Sequence, residues 1–129
     1  MINLDYKDAR PIHQQIEDGI KQLIISTILM PDEQLPSVRE LSVSLTVNPN
    51  TVQRAYKQLE NDGYIYSVKG KGNFVSKVTG FKNRELTDEL YNKLTSVVKE
   101  LMYLGESKTD IENVINNIYQ QKEDKWWLR

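Results

Sequence analysis

The sequence predicts a mostly α-helical fold with one small β-hairpin, and three observations carry that prediction. A helical pattern opens after Pro11, and two capped helices begin at Ser37 and Asn48. β-rich runs flank the turn Lys69-Gly70-Lys71-Gly72, completing a unit of three helices and a hairpin over residues 1–79. Beyond it, residues 80–129 carry two apolar stripes at helical spacing, read as an antiparallel pair of helices.

The first helix follows from Pro11 at its first turn and from Ile12, Ile16, Ile20, Leu23 and Ile24 at a 3.6-residue period. It has to stop before Pro31, because the residue before a proline avoids the helical basin. MPDEQLP then reads as a loop. Ser37-Val38-Arg39-Glu40 is a capping box that starts a short second helix, whose inward face is Val38, Leu41 and Leu45. Asn48 caps the third helix with Pro49 at its first position, where the missing N–H costs nothing. Val52, Ala55, Tyr56 and Leu59 form the inward stripe, and Asp62-Gly63 ends the helix.

Tyr64 to Val68 and Asn73 to Val78 are the expected strands. Their alternation is imperfect, so the inward face is left open. In the tail, Leu86, Leu90, Leu94, Val97, Leu101 and Leu104 stripe a fourth helix that ends at Gly105. Thr109-Asp110-Ile111-Glu112 is read as a second capping box, opening a fifth helix striped by Ile111, Val114, Ile115, Ile118 and Tyr119. The chain closes with Trp126-Trp127-Leu128-Arg129, the tryptophans having an anchor on a partner subunit and a loose tail as the two readings.

Composition narrows the function. The chain has 129 residues, 39% hydrophobic and 27% charged, which fits one ordinary domain or a small one with a helical appendage. The absence of cysteine excludes thiolate catalysis, disulfides and Cys-based zinc sites. The single histidine, His13, has no second imidazole for a metal site and is read as structural. No Ser-His-acid set can be assembled, and the pairs Asp32-Glu33, Asp88-Glu89 and Glu123-Asp124 read as solvated faces or helix ends. Enzymatic activity, a cofactor and a metal are therefore not expected. The longest apolar stretch, Leu23 to Met30, is too short to span a bilayer, and the N-terminus lacks the apolar core of a signal peptide, so a cytoplasmic location is expected.

Two short helices joined by about four residues, followed by a hairpin, describe a winged helix-turn-helix. The third helix carries Asn50, Thr51, Gln53, Arg54 and Lys57 off its apolar stripe, with no acid between Asn48 and Lys57. Amides can donate to and accept from a base edge together, and a guanidinium can grip guanine with two bonds. From Ser67 to Arg84 the charged residues are Lys69, Lys71, Lys77, Lys82 and Arg84, all basic. Gly70 and Gly72 remove the Cβ where a backbone would approach a phosphate, and the lysines neutralise it. Double-stranded DNA is the expected partner. KGKG is not a phosphate-cradling P-loop, which needs GxxxxGK[ST] ahead of a helix.

The stretch LPSVRELSVSLTVNPNTVQRAYKQLENDGYIYSVKGKGNFV resembles the DNA-binding domain of GntR-type bacterial transcription regulators, over roughly Tyr6 to Val78. VNPNTVQRAY with a short helical tail is similar to the YtrA-like branch. The resemblance implies a repressor that holds its operator through the arginine of the PSxRE segment, here Arg39, and Ser37 beside it is also expected at the DNA interface. It also implies contacts from the start of the recognition helix, here Asn48, Pro49, Asn50 and Thr51 with Gln53 and Arg54, and from the wing-tip glycine, here Gly70. Pro49 and Asn50 replace the Arg-Thr of many other branches, so base preference does not carry across. Thr46 stands where the family usually has glycine at the corner. Either the turn takes another geometry or the domain carries strain.

The branch also implies a homodimer built on the C-terminal helices, and the periodicity supports it independently. Two apolar stripes on a 50-residue appendage cannot both be buried on themselves. Leu86, Leu90, Leu94, Val97 and Leu101 on one helix and Ile111, Val114, Ile115 and Ile118 on the other are the expected interface. Two-fold binding then predicts a pseudo-palindromic operator with half-sites about one helical turn or a multiple apart. The tail is too short for a separate ligand domain, so a small-molecule effector would need a pocket in the dimer or beside the tail. The rival reading is a winged-helix module that docks proteins without sequence-specific DNA binding.

Overall fold

The structure is a computed structural model, and it describes residues 2–77 and 84–123. Five helices and one hairpin follow one another as α1 (Ile12–Ile25), α2 (Val38–Leu45), α3 (Pro49–Asn61), β1 (Ile65–Val68), β2 (Gly72–Val75), α4 (Arg84–Tyr103) and α5 (Lys108–Glu123). The chain divides into two compact units, Met1–Asn83 and Arg84–Arg129.

In the first unit α3 is the centre: α1 and α2 both pack on it, and β1 meets its C-terminal end. The reason is its stripe. Val52, Ala55, Tyr56 and Leu59 are all buried, and they close on Ile16 and Ile20 of α1, Leu41 of α2, and Ile65 and Val75 of the hairpin. Burying each large aliphatic side chain is worth about 1.5–3 kcal/mol, so α3 holds most of the unit together. Val38 and Leu45 are only half-buried against that core.

Ile2 and Leu4 also pack on the core, a contribution the helical periods do not announce. Gln15 fixes this N-terminal segment: its Oε1 accepts from the Asp5 N–H at 2.8 Å, and its Nε2 donates to the carbonyls of Asp5 and Arg10. Pro11 stands at the N-cap of α1, one position before the helix proper.

Several local expectations change. MPDEQLP is a loop as expected, but one tied to β2: Gln34 bridges Phe74, the Leu35 N–H donates to the Asn73 carbonyl at 2.8 Å, and the Asp32 N–H donates to the Val75 carbonyl at 2.8 Å. The segment thus runs beside β2, held by one isolated bridge and a few backbone bonds while the sheet keeps two strands. β1 starts at Ile65 rather than Tyr64, with Ile65 paired to Val75 and Val68 to Gly72. Gly72 is therefore a strand residue, and the turn shrinks to Lys69-Gly70-Lys71, closed by the Lys71 N–H on the Val68 carbonyl. β2 ends at Val75, and Val78 lies outside the described residues. The inward face is now settled, since Ile65 and Val75 are buried.

The second unit holds α4 and α5. Ser107, not Thr109, caps α5, its Oγ accepting from the Asp110 N–H at 3.1 Å. Between the helices Gly105 stands at a φ of 90°, two residues after α4 ends. Among the described residues no helix is long and apolar enough to cross a membrane.

Candidate nucleic-acid interface

The interface candidate is built on three turns of backbone. At the end of α2, the Val47 N–H bonds to the Ser42 carbonyl at 3.0 Å and the Thr46 N–H to the Val43 carbonyl at 3.3 Å. This pair of bonds is a Schellman motif, whose middle residue has to be left-handed. Thr46 is, at φ 56° and ψ 48°. The threonine therefore takes the geometry glycine would take and carries the strain of a β-branched left-handed residue. The same motif ends α3, where Gly63 holds the left-handed position at φ 84° without that penalty.

The corner delivers the chain to Asn48, whose Oδ1 accepts from the Asn50 N–H at 2.8 Å, with Pro49 next. Asn48 and Pro49 thus serve the helix start. Ser37 and Glu40 complete the reciprocal capping box of α2, which leaves Arg39 exposed in its first turn. On α3, Asn50, Gln53, Arg54 and Lys57 are exposed and Thr51 is half-exposed. Positions 50, 53, 54 and 57 share one helix face, opposite the buried stripe.

Among the described residues, Arg39, Arg54, Lys57, Lys69 and Lys71 engage in no ion pair. Their charge is available to an outside anion. The wing is narrower in charge than the run of bases suggested, because Lys77 lies 3.6 Å from Asp32 and Arg84 lies 3.6 Å from Asp88. Lys82 lies outside the described residues. What remains exposed at the tip is Lys69-Gly70-Lys71, with Gly70 at φ 78°.

Several side chains brace this wing, among them Asp32, expected only as part of a solvated face or helix end. Tyr66 stacks on Phe74 with centroids 5.6 Å apart and donates its phenol proton to Asp32 at 2.8 Å. That bond to a carboxylate holds the Tyr66 phenol above its usual pKa. Ser67 donates to Glu60 of α3 at 2.6 Å, tying the hairpin to α3. No local signal announces these pairs, since Tyr66 and Asp32 are 34 residues apart.

In the second unit the striped residues stay open. No residue of α4 is buried, Leu86 and Leu101 are half-buried, and Leu90, Leu94 and Val97 are exposed. On α5, Ile111 is half-buried, while Val114, Ile115 and Ile118 are exposed, Val114 to 59%. Trp126 and Trp127 lie outside the described residues.

The bacterial regulatory proteins of the gntR family match residues 12–75, from α1 to the end of the wing. The transcriptional repressor YtrA of Bacillus subtilis is 36% identical over 104 residues, 81% of this chain and 75% of its own. This chain belongs to the gntR family. Its likeness within the gntR family is to the YtrA branch, in agreement with a solved YtrA from Sulfolobus acidocaldarius, 35% identical with a TM-score of 0.59 over 73% of this chain and 97% of that one. A transcriptional antiterminator from Listeria monocytogenes has the same architecture, at TM-score 0.74 and 31% identity over 100% of this chain and 93% of that one. The AraR DNA-binding domain, solved in complex with an operator, matches 57% of this chain and 89% of that one at TM-score 0.52 and 30% identity. As a gntR-family protein the chain is a DNA-binding transcription regulator, and the protein-docking module is not favoured.

Proposed function

We propose that the chain is a homodimeric repressor that reads a pseudo-palindromic operator with α3 in the major groove and the glycine wing against the adjoining backbone. The observation that carries this reading is the unpaired basic and amide face of Asn50, Gln53, Arg54 and Lys57, set opposite a wholly buried stripe. In this reading Asn50, Gln53 and Arg54 discriminate bases, with Thr51 beside them. Arg39, Lys57, Lys69 and Lys71 neutralise phosphates, and Gly70 and Gly72 let the wing backbone come close.

The dimer rests on the second unit. An apolar stripe left open over both helices is costly in water and is satisfied by a second copy meeting Leu90, Leu94, Val97, Val114 and Ile118. Two protomers would then present two recognition helices to two half-sites. Repression, rather than activation, follows the regulators the chain is similar to.

Selection of duplexes from a random-sequence pool, followed by affinity measurement at rising salt, tests the proposal. An enriched palindrome, bound with a log–log salt slope of about −0.9 per phosphate neutralised, is the expected result. Enrichment of nothing over polyanion controls at physiological ionic strength would overturn it.

A further inference from the structure

A hairpin this short is marginal alone, and its tip has to be aimed by something outside it. Most of the bracing is at the base: the Tyr66–Phe74 stack, the Asp32 carboxylate, and Ser67 on Glu60. One side chain reaches the tip. Gln34, in the segment between α1 and α2, donates from Nε2 to the Lys71 carbonyl at 2.8 Å, across 37 residues of sequence.

The space for that bond is made by Gly72. A Cβ at Gly72 would stand 3.0 Å from Gln34 Nε2, and its φ of 120° already disfavours a side chain. Gly70, by contrast, has nothing within 4 Å of where its Cβ would be. The two glycines therefore differ in role: Gly70 permits the turn, and Gly72 also admits the Gln34 amide.

We propose that Gln34 is a positioning residue for DNA binding, which aims the Lys69-Gly70-Lys71 tip through the Lys71 carbonyl without itself touching the duplex. The inference rests on the wing being a DNA contact. Backbone pairing beneath it, from Gln34 to Phe74 and from the Leu35 N–H to the Asn73 carbonyl, holds the Gln34 backbone in place whatever its side chain does. Loss of the amide thus frees the tip without unfolding the sheet.

Two variants of the full chain separate aiming from folding: Gln34→Ala, and Gln34→Met, which keeps the bulk and removes the donor. In the free chain, hydrogen exchange at the Lys71 amide, which closes the turn on Val68, should quicken several-fold in both, with the melting temperature held. On a duplex enriched by the wild-type chain, both should bind about three- to tenfold more weakly, the scale of one hydrogen bond. In a Lys69→Ala, Lys71→Ala background, where only the wing backbone is left to aim, the same change should cost much less. An equal loss in that background, or unchanged exchange at Lys71, would overturn the proposal. Quickened exchange with unchanged affinity would leave the tip aimed by Gln34 but overturn its role in binding, and with it the wing as a contact. Failure of the wild-type chain to enrich any duplex strikes the DNA reading itself, while the exchange measurement still judges the Gln34 bond.

Discussion

The phenol of Tyr56, on the buried face of α3, donates a 2.7 Å hydrogen bond to the carbonyl of Pro36, the residue before the Ser37 cap of α2. Tyr56 is 2% exposed, so this bond is made where water does not compete well. It pins the start of α2, the helix that carries Arg39, to α3, the helix that carries Asn50, Gln53 and Arg54. Burial, with the Glu40 charge adding to it, pushes the Tyr56 phenol well above its ordinary pKa of 10.0.

Tyr56→Phe should therefore lower stability by about 0.5–1.5 kcal/mol in urea, one net hydrogen bond. Because the folded state holds the phenol proton above the unfolded pKa, native stability is full below pH 10 and falls as pH rises beyond it. The variant should lose less stability on that alkaline side, keeping only the part that comes from Tyr64 and Tyr66, whose phenols are also held above the usual value. A Tyr56→Phe chain with the same steep loss above pH 10 would place its cause elsewhere.

At the corner, Thr46 sits left-handed in a position that suits glycine. A left-handed non-glycine residue costs roughly 1–2 kcal/mol, and glycine gives back part of this through the freedom of the unfolded chain, about 0.5–1 kcal/mol. Thr46→Gly should raise stability by about 0.5–1 kcal/mol, read as a higher denaturant midpoint at unchanged slope. Loss of stability would mean that the threonine side chain contributes a contact outweighing its backbone strain.

Thr46 also shows what was legible in the sequence. Caps, helical periods and glycine stops are local, so α2, α3 and the buried stripe could be read residue by residue. The conflict at Thr46 was legible too, but not its outcome, because the competing term is the packing of α2 and α3 on either side. The bridge at Gln34 and the wing braces at Asp32 and Glu60 are not legible in the sequence. They join positions far apart in sequence, and nothing in MPDEQLP alternates in the way a strand would. The sequence places the second helix of the tail, yet its cap is Ser107 and not Thr109, because both precede an acid three residues on and the pattern does not choose between them.

Arg54 and Lys71 are exposed cations with different expected duties. Arg54→Ala should relax discrimination between the enriched duplex and random DNA, costing about 1–3 kcal/mol on the former. Lys71→Ala should weaken both nearly alike and shallow the salt slope by about one unit. Competition binding at two ionic strengths checks both. Equal losses with equal slopes would count against the division of labour.

On α4, Leu94 is 46% exposed within the open stripe. Leu94→Glu puts a charge where a second copy is proposed to pack, and an unpaired charge buried there costs several kcal/mol. Sedimentation should show monomers at concentrations where the wild type is dimeric, while far-UV circular dichroism is retained. Binding to the full palindrome should fall far more than binding to a half-site. A dimer that survives this change would be built on another surface.

Inside α1, Glu17 is nearly buried at 8% exposure, with His13 Nδ1 3.6 Å from its carboxylate one turn before. Burial raises the Glu17 pKa above 4.5, and Asp18 adds to it, while His13 and Lys21 pull the other way. A carboxylate whose folded pKa is raised holds its proton longer in the native state. Its contribution to stability is thus present below pH 4.5 and lost as pH rises through the folded value. Glu17→Gln keeps the shape and removes the charge, so it should raise the melting temperature at neutral pH. The gain should shrink to nothing at acid pH, where both chains carry an uncharged side chain at this position. A melting temperature that falls at neutral pH would instead show that the pairing with His13 and Lys21 outweighs the cost of burying the carboxylate.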